Sequence, residues 1–177
     1  MEHHMETGLS QHRPRRTRRR PRFEIRYWIR RDLAAVLAID EACAQWDCWT
    51  ADDHLWCARQ VNVIALVVEE SVTGRIVGFV VYALEARSVR ILRLAVHPDH
   101  QSCGVGTLMV DKMLSKLTHS NRRSRVVIDV DEQDVQMCGW LSGQGFIGTL
   151  IRGWNPDMDI GGDGIRFEWR VPDENHA

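Results

Sequence analysis

The stretch Leu92–Leu108 reads Leu-Arg-Leu-Ala-Val-His-Pro-Asp-His-Gln-Ser-Cys-Gly-Val-Gly-Thr-Leu and holds the pattern with the clearest chemical meaning. An apolar strand meets a turn at Pro98-Asp99. A loop follows with Gln101, Gly104 and Gly106 in Q-x-x-G-x-G spacing, and it opens directly into a helix. The first amides of a helix have no internal partners and sit at the positive end of its dipole, so this arrangement binds anions. Glycines let the backbone approach a diphosphate and adopt positive φ without steric cost. No Gly-Lys-Ser/Thr is present, which argues against a triphosphate loop with Mg²⁺. The loop is not the first βα turn, and its glycines are spaced unlike those of a dinucleotide fingerprint. Cys103 lies inside it and reads either as an activated thiol or as a small residue in a tight turn.

Two further groups have chemical potential. Alternation along Val126–Val130 puts Asp129 on the face opposite Val126, Ile128 and Val130, where an acid faces either solvent or a site. Trp46, Trp49 and Trp56 cluster in sequence, and they either wall a pocket for an apolar or cationic ligand or belong to the core. The five cysteines, Cys43, Cys48, Cys57, Cys103 and Cys138, contain no CxxC pair and no zinc spacing. They are expected to be reduced thiols of a cytoplasmic protein that holds no metal.

The elements that must position these residues follow from periodicity. Phe23–Arg30 alternates as a short strand. Asp32–Ala44 has helical spacing, with Asp32 as the expected N-cap, and Thr50 is placed to cap a second helix, Ala51–Arg59. Val63–Glu69 and Ile76–Leu84 form a hairpin, and Ser88–Val96 is a third strand stopped by Pro98. Val105–Leu117 is a helix with one apolar stripe. Val126–Val130 is a strand, and Asp134–Gln144 is a helix capped by Asp134 and ended by Gly145. Phe146–Ile151 and Ile165–Val171 are the last strands, separated by the polar loop Gly153–Gly164. The order β-α-α-β-β-β-α-β-α-β-β predicts a mixed α/β domain, a central twisted mixed sheet flanked by four helices.

The chain has 177 residues and a formal net charge of −1. That average hides a split. Residues 1–31 hold ten Arg against three Glu, a balance of +7, while residues 32–177 hold 13 basic and 21 acidic residues, a balance of −8. Residues 1–22 are expected to be a disordered Arg-rich tail, either an arm for RNA or another polyanion or a solvated extension. Residues 23–171 form the domain, and 172–177 a short C-terminal tail. The acidic domain excludes a globally basic nucleic-acid binder and suits a cationic acceptor. No apolar run reaches the ~18 residues that would span a bilayer, and the N-terminus has no secretory h-region.

The run Leu94-Ala95-Val96-x-Pro98-x-x-Gln101-x-x-Gly104-x-Gly106, between a strand and a helix, resembles the acetyl-CoA signature of the GCN5-related N-acetyltransferases (GNAT). The resemblance extends over residues 23–171. A second half of the signature, strand, Asn, helix, Tyr, Gly-Phe, is similar in spacing but not in residues: Asp134 stands for the Asn and Leu141 for the Tyr, before Gly145-Phe146. Within the family, Ile39-Asp40 followed by Cys48-Trp49-Thr50, and Ile151-Arg152-Gly153-Trp154, resemble the bacterial ribosomal-protein alanine N-acetyltransferases.

The resemblance implies direct acetyl transfer from acetyl-CoA to an amine, with a protein N-terminal α-amine as acceptor or, in its place, a small amine or lysine. A CoA-binding regulatory domain is the reading that Leu141 leaves open. Leu94, Ala95 and Val96 would meet the pantetheine arm and thioester, and an N–H there would stabilise the oxyanion. Gln101, Ser102, Cys103, Gly104, Val105, Gly106 and Thr107 would cradle the pyrophosphate, with Asp134 beside them. Asp129 is implied as base or amine contact, and Asp40, Trp49 and Trp154 as the acceptor groove. Leu141 cannot donate a proton to the leaving thiolate, so water, another side chain, or loss of catalysis would have to account for that step.

Overall fold

The computed structural model describes residues 22–43, 48–117, 123–153 and 163–172. The tail up to residue 21, Trp46, Trp154 and most of the Gly153–Gly164 loop therefore lie outside the described residues.

The element order is the one periodicity predicts. It runs β1 (Phe23–Tyr27), α1 (Leu33–Cys43), α2 (Ala51–Ala58), β2 (Val63–Glu70), β3 (Ile76–Leu84), β4 (Ser88–Val96), α3 (Val105–Leu114), β5 (Arg125–Asp131), α4 (Val135–Gly143), β6 (Ile147–Ile151) and β7 (Gly164–Arg170). The strands form one sheet of order β1-β2-β3-β4-β5-β7-β6, antiparallel except at β4/β5. No helix among the described residues is long and apolar enough to cross a membrane.

Local chemistry sets the ends. Thr50 Oγ1 accepts from the Asp53 amide at 3.3 Å while Asp53 accepts from the Thr50 amide at 2.8 Å, a reciprocal capping box for α2. Asp134 accepts from the Met137 amide at 3.0 Å and caps α4. Asp32 behaves differently from the expected N-cap. It reaches backward to the Ile29 amide (2.9 Å) and to Arg26, and a 3-10 turn at Arg30–Asp32 leads into α1. That turn also ends β1 at Tyr27, short of Arg30. The Lys116 and Leu117 amides bond to Met113 and Leu114, three residues back, so the α3 stripe finishes in 3-10 geometry.

Two apolar clusters flank the sheet. One lies under α3 and α4 and includes Val80, Tyr82, Ile91, Met109, Met113, Leu141 and Phe167. The other lies under α1 and α2 and includes Val36, Ile39, Val67, Phe79, Val81 and Ala95. Each fully buried side chain of this size contributes ~1.5–3 kcal/mol.

β4 changes face partway along. Val81 pairs with Arg93 but Tyr82 pairs with Ile91, leaving Leu92 as the extra residue of a β-bulge. Before the bulge Val89 and Ile91 join the α3/α4 cluster; after it Leu94 and Val96 do. Strict alternation would have sent Arg93 after Ile91 to that apolar side. The bulge sends it to the α1/α2 side instead.

Candidate active site

β4 and β5 pair only from Ser88–Arg125 to Ile91–Ile128, although β4 continues to Val96 and β5 to Asp131. Beyond the last pair the strands part and leave a cleft edged by backbone. The His97 amide donates to Val77 O on β3 at 2.9 Å. By antiparallel alternation, the amides and carbonyls of Leu94 and Val96 then turn away from β3, into the cleft, while those of Ala95 face Phe79. Val96 O confirms this direction: it accepts from Cys43 Sγ at 3.1 Å and from Gln101 Nε2 at 3.2 Å.

The loop ends in α3, whose N-cap Gly104 has φ +88°, with Ser102 at φ +59°. A Cβ on Gly104 would meet nothing within 4 Å, so the backbone angle, not space, calls for glycine there. Gly106 is the opposite case: its Cβ would come within 2.8 Å of Trp140 Cζ2 on α4. The Gln101 and Cys103 amides are spent on Pro98 O and His100 O in the turn. Among the described residues the amides of Ser102, Gly104, Val105, Gly106 and Thr107 have no such loop partner, and they converge at the helix end. These residues fit a diphosphate held by backbone N–H groups. Gln101 Oε1 also accepts from Gln136 Nε2 at 3.3 Å, joining the loop to α4. The carboxylate of Asp134 is engaged in capping α4.

Asp129 follows the last β5 residue paired with β4 and lies on the face opposite Val126, Ile128 and Val130, the α1/α2 side. Its Oδ1 accepts from Arg166 Nε at 2.7 Å, and its Oδ2 accepts from Arg166 Nη2 at 2.9 Å and Arg90 Nη1 at 3.0 Å. Arg90 also donates to Glu85, in the turn before β4, at 2.6 Å, so four charges alternate from that turn across β4, β5 and β7. Three of the carboxylate's roughly four lone-pair positions are taken. The paired carboxylate pushes the Arg166 guanidinium further up. Leu141 is fully buried in the α3/α4 cluster and replaces the expected proton donor with core.

Asp40 is not open to a groove; only 1% of it is exposed. Its Oδ1 accepts from Arg93 Nε at 2.7 Å, and its Oδ2 accepts from the Trp49 amide at 3.2 Å and contacts His54 Nε2 at 3.1 Å. Burial pushes the Asp40 carboxyl up, but the hydrogen bonds from His54 and Arg93 outweigh it and hold the group below the usual range. His54 is itself fully buried, ringed edge-on by Trp28, Trp49 and Phe79. Trp49 is half-buried beneath the Arg93 guanidinium, 5.9 Å from its ring centre. Among the described residues no group of three metal-ligating side chains lies together.

Arg90, Arg93, Arg166, His54 and Trp140 were not singled out by sequence reasoning. Two of them carried a usable signal: Arg93 interrupts an otherwise apolar strand, and His54 shares an α2 face with Cys57, three residues on.

Residues 23–146 match the acetyltransferase (GNAT) family. A search of curated proteins found no match. Among solved structures, a ribosomal-protein alanine N-acetyltransferase from Escherichia coli is similar at TM-score 0.69 and 18% identity, covering 88% of this chain and 99% of that one. One from Brucella melitensis is similar at 0.65 and 18%, covering 84% and 99%. Arabidopsis thaliana NAA60 in complex with acetyl-CoA is similar at 0.70 and 11%, covering 85% and 99%. At these identities the structures speak for the fold, and the family match speaks for the chemistry: the chain belongs to the acetyltransferase (GNAT) family and is an acetyl-CoA-dependent N-acetyltransferase.

Proposed function

We propose that this protein acetylates a protein N-terminal α-amine, and that the occupied state of Asp129 is the observation that carries this choice. Acetyl-CoA would lie with its pyrophosphate on the amides of Ser102, Gly104, Val105, Gly106 and Thr107, and with its thioester beside Leu94 and Val96. A cleft-facing N–H of β4 would stabilise the oxyanion. Acetyl-CoA supplies the activated acyl group, and a thiolate leaves without needing an acid as strong as an alkoxide would.

The acceptor must be neutral to attack. Asp129 is already hydrogen-bonded to two arginines, so it suits contact with the amine through its remaining lone pair better than full proton abstraction. Solvent would take the proton. An α-amine has a pKa of about 8 and a lysine about 10.4, so at neutral pH the neutral fraction differs several-hundredfold. Among the described residues the acids Asp129 and Asp40 are both engaged, and a site of that kind favours the α-amine. The similarity to ribosomal-protein alanine N-acetyltransferases supports the same acceptor.

The test is thiol release with matched peptides, one carrying a free α-amine and one blocked at the N-terminus with a single lysine. The expected kcat/KM ratio at pH 7 is at least ~100-fold in favour of the α-amine, with the rate rising towards pH 8. Equal rates would overturn the reading in favour of lysine or small amines.

A further inference from the structure

We propose that Asp40 and Arg93 are positioning residues for acetyl transfer: their buried ion pair, with Cys43, clamps α1 onto the part of β4 whose backbone faces the cleft. The kinetic part of this proposal rests on the acetyl-transfer reading.

Asp40 and Cys43 are three residues apart on α1 and so share one helical face. That face grips β4 at two points. Asp40 Oδ1 holds Arg93 Nε at 2.7 Å, and Cys43 Sγ donates to Val96 O at 3.1 Å. Leu94 and Ala95 lie between the two anchors. On the other edge of this stretch β5 has already parted from β4, so no ladder steadies it there.

The bulge at Leu92 completes the logic. It turns Arg93 toward α1 but interrupts the β3–β4 register at the same place. The Asp40 contact replaces the lost order. The same carboxylate also holds the Trp49 amide and His54 Nε2, so one buried group joins α1, the start of α2's cap segment, α2 and β4. Removing either partner breaks the short ion pair between α1 and β4, weakens the compensation of a buried charge, and loosens the strand. A displacement on the order of 1 Å at reacting groups costs about 100-fold in rate. Only the thioester end of the cofactor lies on the clamped stretch; the phosphate-facing amides of α3 are outside it, so most of the cofactor affinity should be spared.

The experiment compares Arg93→Met, Arg93→Lys and Asp40→Asn in the full-length chain. For Arg93→Met the expected result is kcat lower by about 100-fold, with the acetyl-CoA Kd changed by less than about threefold. Arg93→Lys, which restores a charged donor to Asp40 but not the planar group over Trp49, should recover kcat in part, to about tenfold above Arg93→Met. Asp40→Asn should resemble Arg93→Met. Iodoacetamide labelling of Cys43, followed by peptide mapping, should accelerate in both disruptive variants and not in the lysine one.

Wild-type kcat in Arg93→Met would overturn the proposal. So would cofactor affinity falling in step with kcat, with lysine no better than methionine. If Arg93→Met does not fold, Arg93→Gln against Arg93→Lys reads the same split. If the wild-type protein transfers no acetyl group to any amine, the acetyl-transfer reading fails, and Cys43 labelling alone still decides whether the clamp exists.

Discussion

The α3 end of the cleft and its α1/α2 side are built from different groups. From Leu94 through the loop into α3, what faces the cleft is backbone: the turned-out groups of Leu94 and Val96, and the free amides at the helix end behind Gly104. The α1/α2 side is instead built on side chains: buried Asp40 bonded to Arg93 and His54, Trp49 under Arg93, and Asp129 between Arg90 and Arg166. A backbone surface accepts almost any side chain but tolerates few added atoms or wrong angles. A side-chain network depends on each partner being present. One end is therefore suited to a cosubstrate common to a whole family, the other to features particular to one chain.

This contrast can be broken most sharply at Asp40. Asp40→Ala should lose ~3–5 kcal/mol, because it takes the acceptor from buried His54 Nε2 and the Trp49 amide and breaks the short contact with Arg93; urea unfolding reads the loss. A loss below about 1 kcal/mol would mean the network is replaceable by solvent. The next effect belongs to the other wall. Gly106→Val should collide with Trp140, cost ~1–3 kcal/mol and weaken acetyl-CoA binding by calorimetry. Adding Trp140→Ala should return much of both. If the second change restores nothing, the glycine is needed for the backbone's approach to the ligand and not for Trp140.

Smaller is Asp129→Asn. It keeps the shape and removes the charge shared by two arginines, and it should raise the acceptor KM by roughly 3–10-fold with a lesser change in kcat. A loss confined to kcat would assign Asp129 the base role after all.

The smallest effect is in acid. The Asp32 carboxyl is held low by its hydrogen bonds to Arg26, against the opposing push of burial. The Asp40 carboxyl is low as described. A group with a depressed folded pKa contributes stability above its unfolded pKa, about 4, and that contribution is lost as pH falls through the folded value. Thermal midpoints should thus be nearly flat from pH 7 to about pH 5 and fall below about pH 4, with a shallower fall in Asp40→Asn. An equal slope in that variant would remove Asp40 from the acid transition.

Much of the fold was legible because it rests on local rules. The Thr50 and Asp134 caps, the hairpin of Val63–Glu69 and Ile76–Leu84 and the α3 stripe each depend on residues close to one another in the chain. Asp32 misled because an acid beside a helix start is also beside Arg26, and a guanidinium on the neighbouring strand competes for its oxygens. Gly106 was expected to serve the backbone alone, yet its neighbour is Trp140, 34 positions away. Asp40 was expected in an open groove because its position in the chain resembles one that lines it; burial depends on Arg93 and His54 from two other elements.

The sequence by itself determined the element order, the loop that opens α3 and the family, since strand alternation, helical stripes and a Q-x-x-G-x-G run are all short-range patterns. Only the tertiary structure decided which charges meet. The bulge at Leu92 moves Arg93 across the sheet, and the parting of β4 from β5 leaves the backbone groups of Leu94 and Val96 without a β5 partner. Both depend on register between strands, which one-dimensional spacing does not encode. The electrostatic cost of burying a charge then makes each carboxylate's role depend on the partners the fold brings to it.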